Sequence, residues 1–316
     1  MAIVHLKKIL AVTSLLLPVL SLAAGMNPVD IPAKSSDKAI KAIIWTPCLR
    51  QSNKIQIGPI TLHGKLKCPI QGSNLPLIVF SHGYGGSNLS HHDLAEYLAD
   101  SGFVVAAINH PGDNYAAINH GTKTSDFINR PQDISRLIDY MLYNWTGKKS
   151  IDPHRIGFFG FSRGGYTGLV LAGGKPDFLG ANTPYGRANI HFEKSYSSYI
   201  LKNDSRIKAF VIADPVNIFT THESVKNINS PIQLWISEFG GDGILPEEGK
   251  ALRNILHINN EFHLVAGATH FSFLAPCSIE MSKTMPDICT DINGFNRYNF
   301  HKIMNSSALD FYRKSL

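Results

Sequence analysis

The sequence predicts one α/β domain over residues 24–316, a mostly parallel sheet covered by helices on both faces. Three observations lead there. From residue 40 onward, short apolar runs alternate with amphipathic stretches, the pattern of strands joined by covering helices. Several of those runs end in turns rich in Gly, Asn or Asp, as at 109–113 and 160–165. The length suffices for one large core, and no internal repeat, low-complexity tract or interdomain linker divides it.

At the N-terminus Lys7 and Lys8 precede the apolar run Ile9 to Leu22. Ser21-Leu22-Ala23 then puts small residues at the −3 and −1 positions of a cleavage site, so residues 1–23 read as an export signal and the protein as periplasmic or secreted. The run is too short, and too soon followed by Pro28 and Pro32, to read as a membrane span. Ala42 to Thr46 and Lys54 to Leu62 read as opening strands, antiparallel at the sheet edge. Leu77 to Phe80 is a buried strand. Ser90 caps a helix from His91 to Ser101, with Asp93 at the capping-box spacing. Phe103 to Ile108 is the next strand, and Ile134, Leu137, Ile138, Met141 and Leu142 put helical spacing on Asp133 to Trp145. Arg155 to Phe159 is a strand, followed by a small-residue helix from Gly165 to Gly173.

Periodicity fails over residues 175–205, rich in Tyr, Asn, Ser and Gly, which read as an insertion near the pocket. Strands resume at Ile207 to Ala213, Ile232 to Ile236 and Glu261 to Val265. A helix from about Glu247 to Leu256 separates the last two, and a final helix runs from about Asn299 to Tyr312.

Composition excludes some functions. The net charge of +6 is carried by Lys and Arg scattered along the chain, so nothing suggests nucleic acid, and mild attraction to an anionic membrane surface is the most it implies. Cys48, Cys68, Cys277 and Cys289 are an even set suited to two disulfides in an oxidising compartment. Proximity favours Cys48–Cys68 and Cys277–Cys289. No C-x-x-C or histidine at ligand spacing supports zinc.

The chemistry centres on Gly160-Phe161-Ser162-Arg163-Gly164, a G-x-S-x-G pentapeptide between a strand and a helix. In that context it is the nucleophile elbow of an α/β-hydrolase. A serine hydroxyl is a poor nucleophile and needs a tight turn, a histidine within reach and N–H groups for the oxyanion. A chain of this composition holds about 0.2 such matches by chance, so the surrounding residues decide. His82-Gly83-Tyr84-Gly85-Gly86 ends the strand before the first large helix, which assigns the oxyanion donors to the N–H groups of Tyr84 and Arg163. His270 sits just past the last strand, where a loop can carry an imidazole over the nucleophile. Asp242, in a glycine-flanked loop after the penultimate strand, gives the order Ser162, Asp242, His270. Asp214, ending the strand before it, competes for the role of acid.

Pro76 to Gly83, Asn109-His110-Pro111-Gly112, Gly160 to Gly165 and His270 to Cys277 together resemble the bacterial predicted dienelactone hydrolases, a branch similar to platelet-activating-factor acetylhydrolases. The resemblance spans roughly residues 40–315. It implies an α/β-hydrolase fold, serine-esterase chemistry on a small-molecule or lipid ester, and no cofactor. The chain departs from it twice: true dienelactone hydrolases carry a cysteine nucleophile where Ser162 stands, and Arg163 replaces an apolar or aromatic residue. The acetylhydrolase branch takes its acid from the earlier strand, the position of Asp214.

Overall fold

A computed structural model describes residues 23–34, 37–117, 124–178, 201–256, 261–292 and 294–316. All of the expected export signal (residues 1–23) except Ala23, and residues 179–200 of the expected insertion (175–205), lie outside the described residues. Among the described residues are ten strands: β1 (Ala23–Ile31), β2 (Ile40–Cys48), β3 (Asn53–Ile57), β4 (Ile60–Leu66), β5 (Leu75–Ser81), β6 (Val104–Asn109), β7 (Ile151–Phe161), β8 (Ile207–Ala213), β9 (Ile232–Ser237) and β10 (Glu261–Val265). They form one sheet in the order β10-β9-β8-β7-β5-β6-β2-β1-β4-β3. The six strands from β6 to β10 along that order are parallel, and β2 turns the sheet antiparallel.

The helices among the described residues are α1 (His92–Asp100), α2 (Thr124–Asp139), α3 (Arg163–Leu171), α4 (His222–Val225), α5 (Pro246–Ile255), α6 (Ile279–Thr284), α7 (Pro286–Cys289) and α8 (Arg297–Ser315). Strand β5 shows why two layers of helix are needed. Its seven residues are all buried, and successive side chains point to opposite faces. Leu77 and Val79 join a core with Leu137 of α2 and Leu169 of α3, whereas Ile78 and Phe80 join another with Leu94 of α1 and Met304 of α8.

Four local features differ from the sequence reading. Strand β1 has no counterpart in the sequence expectations, and it holds Pro28, a residue rare in strand interiors. It is tolerated because β1 pairs along its whole length with β2, whereas only Gly25 and Met26 pair with β4 on the other side. Lys54 to Leu62 is not one strand but the hairpin of β3 and β4, turned at Gly58 with φ +54°. Ser90 does not cap α1; its Oγ accepts the Ser87 N–H at 2.9 Å, while Asp93 faces His301. Helix α2 begins at Thr124, ahead of the expected start, and carries Pro131 inside it.

All four cysteines are paired, as Cys48–Cys68 and Cys277–Cys289, which leaves none to ligate zinc. The second bridge spans 12 positions and closes the segment that contains α6 and α7. Arg297 reinforces it, donating to both Asp291 oxygens and to the Ile288 carbonyl. By chain-entropy reckoning a loop this size contributes about 3 kcal/mol through the unfolded state. The Cys277→Ser, Cys289→Ser double variant is therefore expected to unfold about 3 kcal/mol more easily in urea; an unchanged midpoint and slope would contradict that contribution.

Candidate active site

Between the last residue of β7 and the first of α3, the chain passes through Ser162 at φ 56°, ψ −117°, a conformation that non-glycine residues rarely adopt. Backbone bonds hold it there. The Ser162 N–H donates to the Ala213 carbonyl at 3.0 Å, and the Ser162 carbonyl accepts from Tyr166 and Val216, each at 3.1 Å. The flanking glycines are required by close approach of backbone: a Cβ on Gly164 would strike the Ser81 carbonyl, and one on Gly160 the Gly164 carbonyl. Ser162 is thus presented where β5, β7 and β8 end, the carboxyl edge at which open α/β sheets bind ligands.

His270 opens a 3-10 turn, His270–Phe273, after β10. Its N–H donates to the Gly240 carbonyl at 2.7 Å, and a reciprocal pair between Thr269 and Ser272 closes the turn. The imidazole stacks on Phe161, centroid to centroid at 4.5 Å. Behind it, the Ser272 carbonyl lies 3.0 Å from His301 Nε2, and His301 Nδ1 lies 2.7 Å from Asp93.

The carboxylate against His270 is Asp214, which corrects the preference for Asp242. Asp214 Oδ2 lies 2.7 Å from His270 Nδ1 and also accepts from Ser237 Oγ at 2.8 Å, while Oδ1 accepts the Ser237 N–H at 2.9 Å. Asp214 is fully buried, so every lone pair engaged offsets the cost of keeping the charge out of water. Since a carboxylate can only accept, Nδ1 carries the proton and Nε2 is the basic nitrogen. Asp242 is exposed, at φ 49°, with Gly243 at φ 81°. Gly241 and Ile244 exchange backbone hydrogen bonds around the two, so Asp242-Gly243 is a tight turn of the kind Asp-Gly pairs favour. That loop supports His270 through the Gly240 carbonyl, not through a side chain.

Ser162, His270, Tyr84 and Asp242 all border a cavity of about 1220 Å³. Its walls come from the β3–β4 hairpin through Ile57 and Ile60 and from the disulfide-closed segment through Met281, Met285 and Ile288. Arg163, the other expected oxyanion residue, opens α3 with its side chain buried and its guanidinium 4.1 Å over the Tyr84 ring. Helix N-termini present N–H groups and the positive end of the dipole.

Residues 48–135 match the family described as platelet-activating factor acetylhydrolase, isoform II. Over nearly the whole fold, the ferulic acid esterase from Streptomyces cinnamoneus superposes with a TM-score of 0.65, covering 94% of this chain and 91% of that one at 16% identity. The chain has the α/β-hydrolase fold. The platelet-activating factor acetylhydrolase of Cavia porcellus is 35% identical over 65 residues, 20% of this chain and 15% of that protein. Cutinase est1 of Thermobifida alba is 30% identical over 137 residues, 42% of this chain. The match spans only 41% of the cutinase's own length.

In this α/β-hydrolase fold a group of buried polar residues lies behind the elbow, most of it without a signal in the sequence. Asp113, Arg130 and Asp133 follow strand β6 or sit on α2, where each alone reads as a turn or surface residue. His110 Nδ1 lies 3.0 Å from Asp133, its Nε2 lies 2.9 Å from Ser81 Oγ, and its backbone N–H donates to His82 Nε2 at 3.1 Å. His82 Nε2 is therefore an acceptor, and Nδ1 donates to the Gly83 carbonyl. Burial pulls the His82 imidazole down to about 3 and, helped by the Arg130 charge, holds it neutral. Burial likewise lowers His91, between Phe159 and Phe161, to about 3, and raises the Asp133 carboxyl to about 7.

These shifts have opposite consequences for stability. A histidine near 6.5 when unfolded and near 3 when folded contributes fully above pH 6.5 and loses that contribution as pH falls toward 3. Asp133 opposes this, since its raised carboxyl favours the folded state as pH falls from 7. His110 is also lowered by burial, whereas Asp100, raised by burial to about 6, and Glu248, raised to about 7, side with Asp133, so the histidine contribution to the pH slope is isolated by a single variant. His91→Leu is expected to reduce that slope by one proton, about 1.36 kcal/mol per pH unit between pH 6 and 4. Urea unfolding at several pH values checks it; an unaltered slope would mean that His91 is not buried neutral.

Proposed function

We propose that the protein is an exported serine carboxylic-ester hydrolase that forms an acyl-enzyme on Ser162. The observation that carries this reading is the 2.7 Å contact of Asp214 with His270 Nδ1, in a cavity shared by His270 and a serine at a nucleophile elbow. Asp214 keeps the proton on Nδ1, so Nε2 is the base that takes the Ser162 proton as Oγ attacks the ester carbonyl. The oxyanion of the tetrahedral intermediate is received by the N–H groups of Tyr84 and Arg163. The imidazolium then protonates the departing alcohol, and a water activated by the same nitrogen releases the acid. Two disulfides and the N-terminal export signal support an extracytoplasmic site of action.

The cavity supports an ester larger than acetate. Ile57, Ile60, Leu274, Met281, Met285 and Ile288 line it with aliphatic and thioether surface, and methionine adapts to varied shapes. A second reading, a phospholipid deacylase, is favoured by the match to the acetylhydrolase family over residues 48–135. Labelling with an alkyl fluorophosphonate, followed by p-nitrophenyl esters of two to twelve acyl carbons and then phospholipids, tests both. We expect stoichiometric labelling of Ser162 and hydrolysis that rises from acetate to medium chains. Absence of label would leave a binding protein on a hydrolase scaffold; release of fatty acid from phospholipid faster than from simple esters would select the second reading.

A further inference from the structure

We propose that Arg130 and Asp113 are positioning residues that set the spacing of the oxyanion hole by tying together the two backbone segments that carry its donors. The inference rests on the reading of Ser162 as nucleophile. The donors come from separate elements: Tyr84 follows β5, whereas Arg163 begins α3. Pairing of β5 with β7 reaches Ser81 opposite Gly160, and Gly164 packs on the Ser81 carbonyl; beyond those points the two donor segments leave the sheet, and side chains link them.

One guanidinium reaches both. Arg130 Nη2 donates to Ser81 Oγ at 3.2 Å and to the His82 carbonyl, at the end of β5. Its Nε donates to Thr167 Oγ1 at 3.2 Å, and that hydroxyl donates to the Arg163 carbonyl at 2.9 Å. Its Nη1 donates to Asp113 Oδ2 at 2.7 Å, and the same oxygen accepts from Arg163 Nη1 at 3.1 Å. Arg163 in turn lies over the Tyr84 ring. The side chains of Arg130, Asp113 and Arg163 are each about 1% exposed.

Burial of three charges is not accounted for by stability, since apolar groups of similar volume generally serve a core as well or better. What the arrangement supplies instead is direction. A planar guanidinium with five fixed donors holds its acceptors at defined angles, which a flexible ammonium cannot do. Here those acceptors are the carbonyl two residues before Tyr84 and, through one hydroxyl, the carbonyl of Arg163 itself. A small relative displacement of the segments moves a donor out of line with the oxyanion, and loss of one such donor typically lowers kcat by about 10²–10³.

The test compares Arg130→Gln, Arg130→Lys and Asp113→Asn with wild type on p-nitrophenyl butyrate, with rates expressed per site titrated to the end point by fluorophosphonate. Arg130→Gln is expected to lower kcat at least thirtyfold with KM within about threefold, and to weaken an alkylboronic acid, which binds as a tetrahedral adduct, by a similar factor. Arg130→Lys should recover part of the loss, and it decides the matter if the Gln variant does not fold. Asp113→Asn, which keeps shape but not charge, should lose about tenfold. A purely structural role would lower the titratable fraction and the melting temperature while leaving kcat per site and boronate affinity unchanged, and that result would overturn the proposal. So would a rise in KM at constant kcat. If the wild type itself neither labels nor turns over, the hydrolase reading has failed instead.

Discussion

Ser162→Ala is expected to lower kcat for p-nitrophenyl butyrate by about 10⁶ while leaving the fold intact, because triad members act as one unit and removing the nucleophile removes the whole covalent path. The fold should survive for a specific reason. The strained φ of 56° at position 162 is maintained by three backbone hydrogen bonds and by glycines at 160 and 164, none of which involves the hydroxyl. Alanine carries the same Cβ through the same conformation, so circular dichroism and the urea midpoint should match wild type. His270→Ala should lose nearly as much activity. Activity within about tenfold of wild type in either variant would remove Ser162 and His270 from the reaction.

Asp214→Asn should cost about 10⁴ in kcat, the loss that follows when an imidazole is held in the wrong tautomer. Asparagine fits the volume, but its amide donates toward His270 Nδ1, which places the histidine proton on Nε2, the nitrogen required to be basic. Asp242→Asn should stay within about threefold, since its side chain is exposed on a two-residue turn and makes no bond to His270. The pair of variants discriminates sharply when kcat is measured at saturating ester. A larger loss at position 242 than at 214 would mean that the acid is supplied from the turn during the reaction.

The comparison of these two carboxylates shows where sequence reading stops. Strand β5, the elbow and the loop that carries His270 were legible because each is a local pattern: a continuous apolar run, a glycine spacing, a histidine past the last strand. Alternation also led to a mostly parallel sheet, though not to the spatial order of its strands. The acid could not be settled that way, because it is defined by a contact between residues 56 positions apart. A local signal did exist, since Asp242-Gly243 is a turn pair and Asp214-Pro215 ends a strand, but each reading needed the other strand's position to become decisive. Arg130 was harder still. On α2 it occupies one of many polar positions, and only the tertiary placement of Ser81, His82 and Thr167 around it separates a clamp from a surface residue. β1 has no comparable local signal, since its strand character comes from pairing with β2 and β4, which only the tertiary structure brings beside it.

The two walls of the cavity come from segments far apart in the chain, each stapled within itself by its own disulfide, and they touch where Ser278 Oγ donates to the Pro59 carbonyl across 219 residues. Mechanically this is a pair of stiff jaws with a latch. A neutral hydrogen bond at a half-buried position is worth about 1 kcal/mol net, so it opens often on its own, whereas the cross-links prevent either jaw from fraying as it moves. Because the β3–β4 jaw is an edge of the sheet, widening of the mouth would fall to the α6–α7 jaw, at the nanosecond-to-microsecond pace of loop motion.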